Sequence, residues 1–391
     1  MKLVRLKKNK AHFIHRKHPY IFSGAIGKME NNIEVGEAVQ VQSAAGEFLA
    51  IAQYFTGSLA LRVISFELTS IDDAFWDRKI SNAFQLRELY KNTRLADTNC
   101  YRLIHGEGDF LPGLVVDIYG HTAVIQCHTI GMLRQLQPIK KSILRVLGSH
   151  ISHIYNKSAD LISDEYLVEN EYLYGEDQAA ITVMEHGHIY QVDIAAGQKT
   201  GFFLDQRDSR KLIKCFVKGK SVLNTFCYTG GFSIAALAAG ATNVHSIDQS
   251  QAALDTLDDN LRLNSMEAAR HDSTAADVLT FLKDSVSRFD VIIVDPPAYA
   301  KSKAKRHKAV QAYKRLNALA IKKVKPQGII FTFSCSQAVD PELFHSTILA
   351  AAIESGRQIR VLHLLQQPFD HPVSIYCQEK RYLKGMVIQV D

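Results

Sequence analysis

No stretch of this 391-residue sequence approaches the roughly 18 consecutive apolar residues that a membrane-spanning helix needs. The start, MKLVRLKKNKAHFIHRKH, is basic and lacks the apolar core of a secretory leader. Neither a membrane span nor a signal peptide is therefore expected. The six cysteines (Cys100, Cys127, Cys215, Cys227, Cys335 and Cys377) form no C-x-x-C and no zinc spacing, which argues against a zinc module or a disulfide framework and for a reduced, cytoplasmic setting. Acid is also missing at the start. Lys2, Arg5, Lys7, Lys8, Lys10, Arg16 and Lys17 all precede the first acidic residue, Glu30. Such a cluster attracts phosphates and gives salt-dependent binding, or else is a solvated tail. His12, His15 and His18 are interleaved with it, but no cysteine or carboxylate nearby completes a ligand set, so no metal site is expected.

What is present suffices for real cores: 47% of residues are hydrophobic, and the length fits two or three domains. The stretch around which the chain is organised is SVLNTFCYTGGFS, Ser221 to Ser233. It reads as an apolar strand, a turn at Gly230-Gly231 and a helix running to Gly240. Glycines at such a turn let backbone N–H groups approach a ligand, and the helix start behind them offers unpaired donors. The dinucleotide fingerprint requires a third glycine that is missing here, so a pyrophosphate has poor support. Asp248 follows a second strand, ATNVHSI, where a carboxylate takes the hydroxyls of a ribose. A nucleoside with one modestly charged tail fits better than a dinucleotide, and S-adenosylmethionine is such a molecule.

Upstream, KTGFFLDQRDSR places Thr200, Phe203, Gln206 and Arg207 either across the cofactor pocket or in an N-capped helix start. With Asn224, Phe226, Tyr228, Gly230, Asp248, Asp277 and Asp295 they make up the expected cofactor-binding set. Asp277, after the third strand, suits an adenine amino group or a helix cap equally. The fourth strand, FDVIIV, is apolar throughout, as a strand buried on both faces is, and it ends at Asp295-Pro296-Pro297. The paired prolines fix a rigid exit suited to holding a flat base. Asp-Pro-Pro here marks methyltransferases acting on nitrogen or carbon of nucleobases. Lys301, Lys303, Lys305, Arg306 and Lys308 follow, a basic cluster beside that edge. The fifth strand, GIIFTF, ends at Ser334-Cys335-Ser336, which puts Cys335 on the reactive edge of an open α/β sheet with Asp295 and Gly230.

Around this core, residues 3 to 65 alternate as a small β-rich module, and the periodicity of 72 to 92 and of 131 to 147 predicts helices. VVDIYGHTAVIQC reads as a hairpin, Asp164 to Asp177 as an acidic loop, and Thr182 to Gly187 as the opening of another hairpin. The last segment, Val373 to Val390, reads as two strands split at Glu379-Lys380-Arg381 that close the sheet antiparallel.

HPYIFSG resembles the HPW-x-F-S-G opening of the RNA-binding PUA domain, with tyrosine for tryptophan. Together with YRLIHGEGDFLPGL, EHG, QKTGFFLDQRDSR, LNTFCYTGGFS, VDPPAY, FTFSCS and DHPV, it makes the chain resemble the bacterial ribosomal RNA large-subunit methyltransferase I family over nearly its whole length. That family makes 5-methylcytosine in 23S rRNA with S-adenosylmethionine. The resemblance implies a small β-barrel PUA domain (1–70), a central α+β RNA-binding domain (71–190) and a Rossmann-like class I methyltransferase domain (191–391). It implies 23S rRNA as partner, naked or in an assembling large subunit, and a homodimer is compatible with it; the two basic clusters make Lys7, Lys8, Lys10, Arg16, Lys17, Lys301 and Lys303 the expected RNA contacts. Many RNA cytosine-5 methyltransferases carry a second cysteine after the proline of the fourth-strand motif, where this chain has DPPAY. Cys335 must then be the nucleophile, with Asp295 as its catalytic partner, as in the uracil-5 enzymes. A uracil C5 or base-nitrogen target, or a non-catalytic assembly factor, stays open at this level.

Overall fold

The structure, a computed structural model, describes every residue except 179, 267, 287 and 301. The chain divides into two compact units, one of Met1–Val183, Val192–Leu204 and Phe369–Lys380, the other of Met184–Gln191, Asp205–Pro368 and Arg381–Asp391.

The first unit contains two sheets. A six-stranded sheet runs in the order Tyr20–Phe22, Leu59–Ser65, Phe48–Tyr54, Ala38–Gln42, Lys2–Leu6, Ile26–Met29. Period-two alternation sets its core: in AVQVQ, Val39 and Val41 are fully buried and the residues between them are half-buried. A five-stranded sheet runs Glu171–Tyr174, His153–Asn156, Thr122–Cys127, Leu114–Tyr119, Cys100–His105. Thr122–Cys127 is buried along its whole length, as a central strand should be. The helix Asp73–Glu88 starts where the Asp72 carboxylate accepts from Phe75 N at 3.0 Å, and it packs on the helix Leu136–Leu147.

Two expectations in this unit need correcting. The helix read over 131–147 is two, Ile130–Leu133 and Leu136–Leu147. Pro138 would interrupt one continuous helix, whereas in the first turn of the second it is tolerated. The acidic stretch 164–177, expected as loop, contains the edge strand Glu171–Tyr174, paired antiparallel to His153–Asn156. Its polar, half-exposed face hid it from a reading based on apolar alternation.

The motif YRLIHGEGDFLPGL turns out to be the centre of a buried ion network. Arg87, 1% exposed, grips Asp109 through two bonds of 2.5 and 2.8 Å and donates to the Asp370 carbonyl at 2.8 Å. Arg102 holds Asp117 in the same forked way at 2.7 and 2.8 Å, and its backbone N–H donates to the Asp370 carboxylate at 3.0 Å. The DHPV segment is thereby tied into the first unit.

The second unit is built on a seven-stranded sheet. Its strands in chain order are β1 (Ser221–Thr225), β2 (Asn243–Asp248), β3 (His271–Ala275), β4 (Phe289–Val294), β5 (Val324–Ser334), β6 (Ile359–Gln366) and β7 (Lys384–Val390). Spatially they lie in the order β3-β2-β1-β4-β5-β7-β6. β1 to β5 are parallel, and β7 runs antiparallel between β5 and β6. The helices are α1 (Arg207–Ile213), α2 (Gly231–Ala238), α3 (Gln251–Leu263), α4 (Val278–Asp284), α5 (Arg306–Lys323) and α6 (Pro341–Ser355). The closing pair is 359–366 with 384–390, not two arms within 373–390. The expected first arm, 373–378, forms no strand and belongs to the first unit.

Candidate functional site

Because the sheet is parallel from β1 to β5, its strands deliver their following residues to one edge. Thr225 pairs with Val294 and Val294 with Thr332, so the glycine turn, Asp295 and Cys335 leave three adjacent strands at the same end. Adjacent strands lie about 4.8 Å apart, which brings the glycine turn and Cys335 to within roughly two strand spacings laterally.

The turn after β1 is strongly contorted. Phe226, Tyr228 and Gly230 have φ values of 56°, 49° and 82°, all left-handed, in alternation with ordinary residues. Two non-glycine residues in that region cost on the order of 1–3 kcal/mol each, and such strain concentrates where a backbone must present groups to a ligand. A Cβ on Gly230 would meet Leu257 Cγ at 2.5 Å. Gly230→Ala is therefore expected to lower S-adenosylmethionine affinity at least about tenfold through strain of ~1.4 kcal/mol or more in the turn. Calorimetric titration checks this.

Asp248, half-buried, accepts from Tyr228 N at 2.9 Å and from Ser250 N at 3.0 Å. These bonds aim the carboxylate and leave acceptor capacity for a diol. Asn224 is 1% exposed and turns its amide inward, onto Ser233 Oγ at 2.8 Å, so it braces strand against helix. Asp277 caps α4, accepting from Thr280 N at 2.9 Å, and its second oxygen takes Gln249 Nε2 at 3.1 Å. The helix-cap reading of Asp277 is thus present in the fold.

Beneath the turn, α1 packs on α2, and a Cβ on Gly231 would touch Arg210 Cδ at 3.0 Å. Arg210 forks onto Glu185 at 2.6 and 2.7 Å, and Arg207 Nε lies 3.8 Å from the same carboxylate, all three side chains buried. Burial opposes the charge on Glu185, yet the two guanidinium groups hold its carboxyl below the ordinary value. Thus EHG and QRDSR meet as a buried ion cluster under the glycine turn. Arg207 belongs to that cluster, and Gln206 to the entry of α1. Thr200 and Phe203 belong to the first unit. There the Thr200 hydroxyl donates to Asp117 at 2.6 Å and sits 2.9 Å from Tyr119 Oη, while Lys199 Nζ lies 4.5 Å from the centre of the Phe203 ring.

At the other end of the edge, Asp295 is half-buried at the exit of β4. Cys335 is also half-buried, with Sγ 3.9 Å from the Pro296 carbonyl. The next residue, Ser336, is buried, lies 2.9 Å from Tyr313 Oη and accepts from Ala300 N at 3.3 Å. The Asp-Pro-Pro exit and the Ser-Cys-Ser turn are therefore locked together. Cys227, by contrast, is buried, and burial and then the Asp248 carboxylate push its thiol well above the usual range.

The sequence reading missed Lys384. It is 4% exposed and donates to the Ser336 carbonyl and to the Tyr382 carbonyl, each at 2.6 Å. Burial lowers its pKa to about 8, partly offset by Cys335 and Asp340. Its only signal in the sequence was a lysine placed in an apolar strand next to Gly385.

Among the RNA-contact candidates, Lys7, Lys8, Lys10, Arg16 and Lys17 are exposed, as are Lys305, Arg306 and Lys308. Lys301 lies outside the described residues, and Lys303 opens a short 3-10 turn, Lys303–Lys305. His18 meets partners the local sequence does not show: its Nε2 is 3.2 Å from Glu379 Oε1, and Cys377 joins them.

The polar atoms left over can be tested against a cofactor. Among the described residues, Gln206 Oε1 and Thr229 Oγ1 are buried without a hydrogen-bond partner. Both can accept, as can Asp248, which suits a ligand rich in donors, such as the ammonium and ribose hydroxyls of S-adenosylmethionine. The fold and these acceptors define a class I methyltransferase. A family model described as S-adenosylmethionine-dependent methyltransferase matches residues 102–374, and a PUA-like domain model matches residues 4–66. S-adenosylmethionine is accordingly the cofactor.

Proteins named ribosomal RNA large subunit methyltransferase I are similar along the whole chain. The one from Vibrio vulnificus is 38% identical over 397 residues, covering 99% of each chain, and the one from Shigella dysenteriae 37% over 393 residues, covering 98% of each. The chain belongs to this family. A SAM-dependent methyltransferase candidate from Streptococcus mutans superposes with a TM-score of 0.84 at 23% identity, covering 100% of both chains. A methyltransferase candidate complexed with SAH gives 0.86 at 23% identity and the same coverage. These two likenesses concern the fold.

Proposed function

We propose that this protein methylates C5 of a cytosine in 23S rRNA of the large ribosomal subunit, with Cys335 as covalent nucleophile. The observation that carries this reading is the half-buried Cys335 sulfur against the Asp-Pro-Pro exit, on the same sheet edge as the cofactor turn. C5 of cytosine is too weak a nucleophile to be methylated directly. Addition of the Cys335 thiolate to C6 makes the ring enamine-like, and Asp295 hydrogen-bonds the N3/N4 edge and steadies the developing charge. When bound, S-adenosylmethionine supplies an electrophilic methyl carbon. Once C5 carries the methyl group, a base removes the C5 proton, the C6–S bond breaks and the thiolate is regenerated. The target must be unpaired or flipped out, since a stacked base leaves no approach to C6.

The cofactor set proposed in the second unit is Gln206, Tyr228, Gly230 and Asp248, with Phe226 and Asp295 flanking it. RNA phosphates are taken by the exposed cations of residues 7–17 and of the segment after Asp295. The test is nucleoside analysis of 23S rRNA from cells lacking this protein. Loss of one 5-methylcytosine, restored by labelled cofactor and purified protein, is expected. Loss of a 5-methyluridine or an N-methylated base instead would overturn the cytosine assignment, and tight rRNA binding without methyl transfer would make the protein an assembly factor.

A further inference from the structure

A cysteine thiol is mostly protonated at neutral pH, and a thiolate nucleophile needs a nearby positive charge or donors. The basic run after Asp295 is the obvious source in the sequence, but its described members are exposed to solvent, where their charge is screened. Lys384 is different. It enters from β7, where it pairs with Ser334 of β5, one residue before Cys335. Its ammonium spans the Ser-Cys-Ser turn, with the Ser336 and Tyr382 carbonyls taking two of its three donors at 2.6 Å each. The side chain is 4% exposed, so its field acts through protein rather than water. A Cβ on Gly385 would meet Phe333 at 2.5 Å, so glycine at that position permits β7 to come this close to β5.

We propose that the Lys384 ammonium holds the Cys335 sulfur as a thiolate, which makes Lys384 the positioning residue that arms the nucleophile. The proposal rests on the reading of Cys335 as nucleophile. Burial of an ammonium is unfavourable, and the lowered pKa of Lys384, about 8, records that cost, with Cys335 and Asp340 the groups that oppose it. Asp340 and Tyr313 are titratable groups that face the pair. Asp340 caps α6 through Leu343 N at 2.8 Å, and Tyr313 on α5 reaches Ser336 at 2.9 Å. Burial raises the Tyr313 phenol, so it remains a neutral donor at working pH.

The test is alkylation of Cys335 by iodoacetamide across pH, read by mass mapping of its peptide, in wild type, Lys384→Gln and Lys384→Arg. Cofactor binding by each variant serves as the control for folding. Glutamine keeps an amide donor for the carbonyls but no charge. Its midpoint should move up by about one pH unit or more, lowering reactivity at neutral pH roughly tenfold. Arginine should leave the midpoint at or below that of wild type. An unchanged midpoint in Lys384→Gln would overturn the proposal; should that variant lose cofactor binding, a midpoint raised by Lys384→Arg would do so. Because alkylation reads the sulfur without RNA, this result is separable from any failure of the nucleophile assignment, which retained turnover in Cys335→Ala would reveal.

A second, independent inference concerns the first unit. The donor atoms of His18, Cys377 and Glu379 all lie within 4.8 Å of one another. Cys377 is buried, so its sulfur is offered to the cluster and not to solvent. The geometry points to a site for a thiophilic divalent cation of the zinc class, with an open fourth position. Binding releases the thiol proton to solvent, and His18 faces the site through Nε2, 3.2 Å from Glu379 Oε1. Cobalt(II) added to the full-length protein should give a thiolate-to-metal absorption band that Cys377→Ser abolishes, and zinc should bind wild type at least tenfold more tightly than the variant. No band, or equal zinc affinity in the two proteins, would overturn the site.

Discussion

Replacement of Cys335 by alanine is expected to lower methyl transfer by at least about four orders of magnitude, the scale on which enzymes with covalent nucleophiles fail when the nucleophile is removed. S-adenosylmethionine binding should stay within about twofold of wild type. The separation follows from the fold: the sulfur leaves β5, whereas the contorted turn and Asp248 follow β1 and β2. Single-turnover methylation together with calorimetry checks both halves. Turnover within about tenfold of wild type would reject the nucleophile.

The second large effect is on stability. Glu185→Gln leaves the Arg210 and Arg207 guanidinium groups buried without their carboxylate, which should cost about 3–5 kcal/mol and lower the denaturant midpoint accordingly. The sign with pH follows from the lowered carboxyl of Glu185. Its contribution is fully present above the unfolded value of 4.5 and is lost as pH falls through the lower folded value. Acid unfolding of wild type below about pH 4.5 should thus be steeper than that of Glu185→Gln. Equal steepness in the two proteins would show that the cluster contributes nothing to acid sensitivity.

Much of the site could be read from the sequence because its parts are local. The glycine pair, Asp248 at a strand end, Asp295 before two prolines and Cys335 after an apolar strand each carry their meaning within a few residues, and a parallel sheet places all strand ends on one edge. The rest depends on contacts between distant segments. Lys384 acquires its place only when β7 inserts antiparallel between β5 and β6, and no spacing rule links it to Cys335. Glu185 and Arg210 look like ordinary surface charges until burial pairs them. The left-handed Phe226 and Tyr228 carry no glycine to announce the turn's geometry. In the first unit, nothing in the local sequence links Arg87 to Asp109, and His18 lacks nearby the cysteine and carboxylate that Cys377 and Glu379 bring from the far end of the chain. The strand Glu171–Tyr174 was missed for a related reason: an edge strand needs little apolar surface once its backbone finds a partner.

The central claim is that one sulfur joins the RNA base during the reaction, and a trapped adduct tests it most directly. Substrate RNA carrying 5-fluorocytosine at the modified position cannot lose a proton from C5, so the C6–S bond should persist after methyl transfer. Digestion and mass mapping of the complex formed with S-adenosylmethionine should locate the nucleotide on Cys335. An adduct on Cys227, or methylated product released with no adduct, would contradict the account.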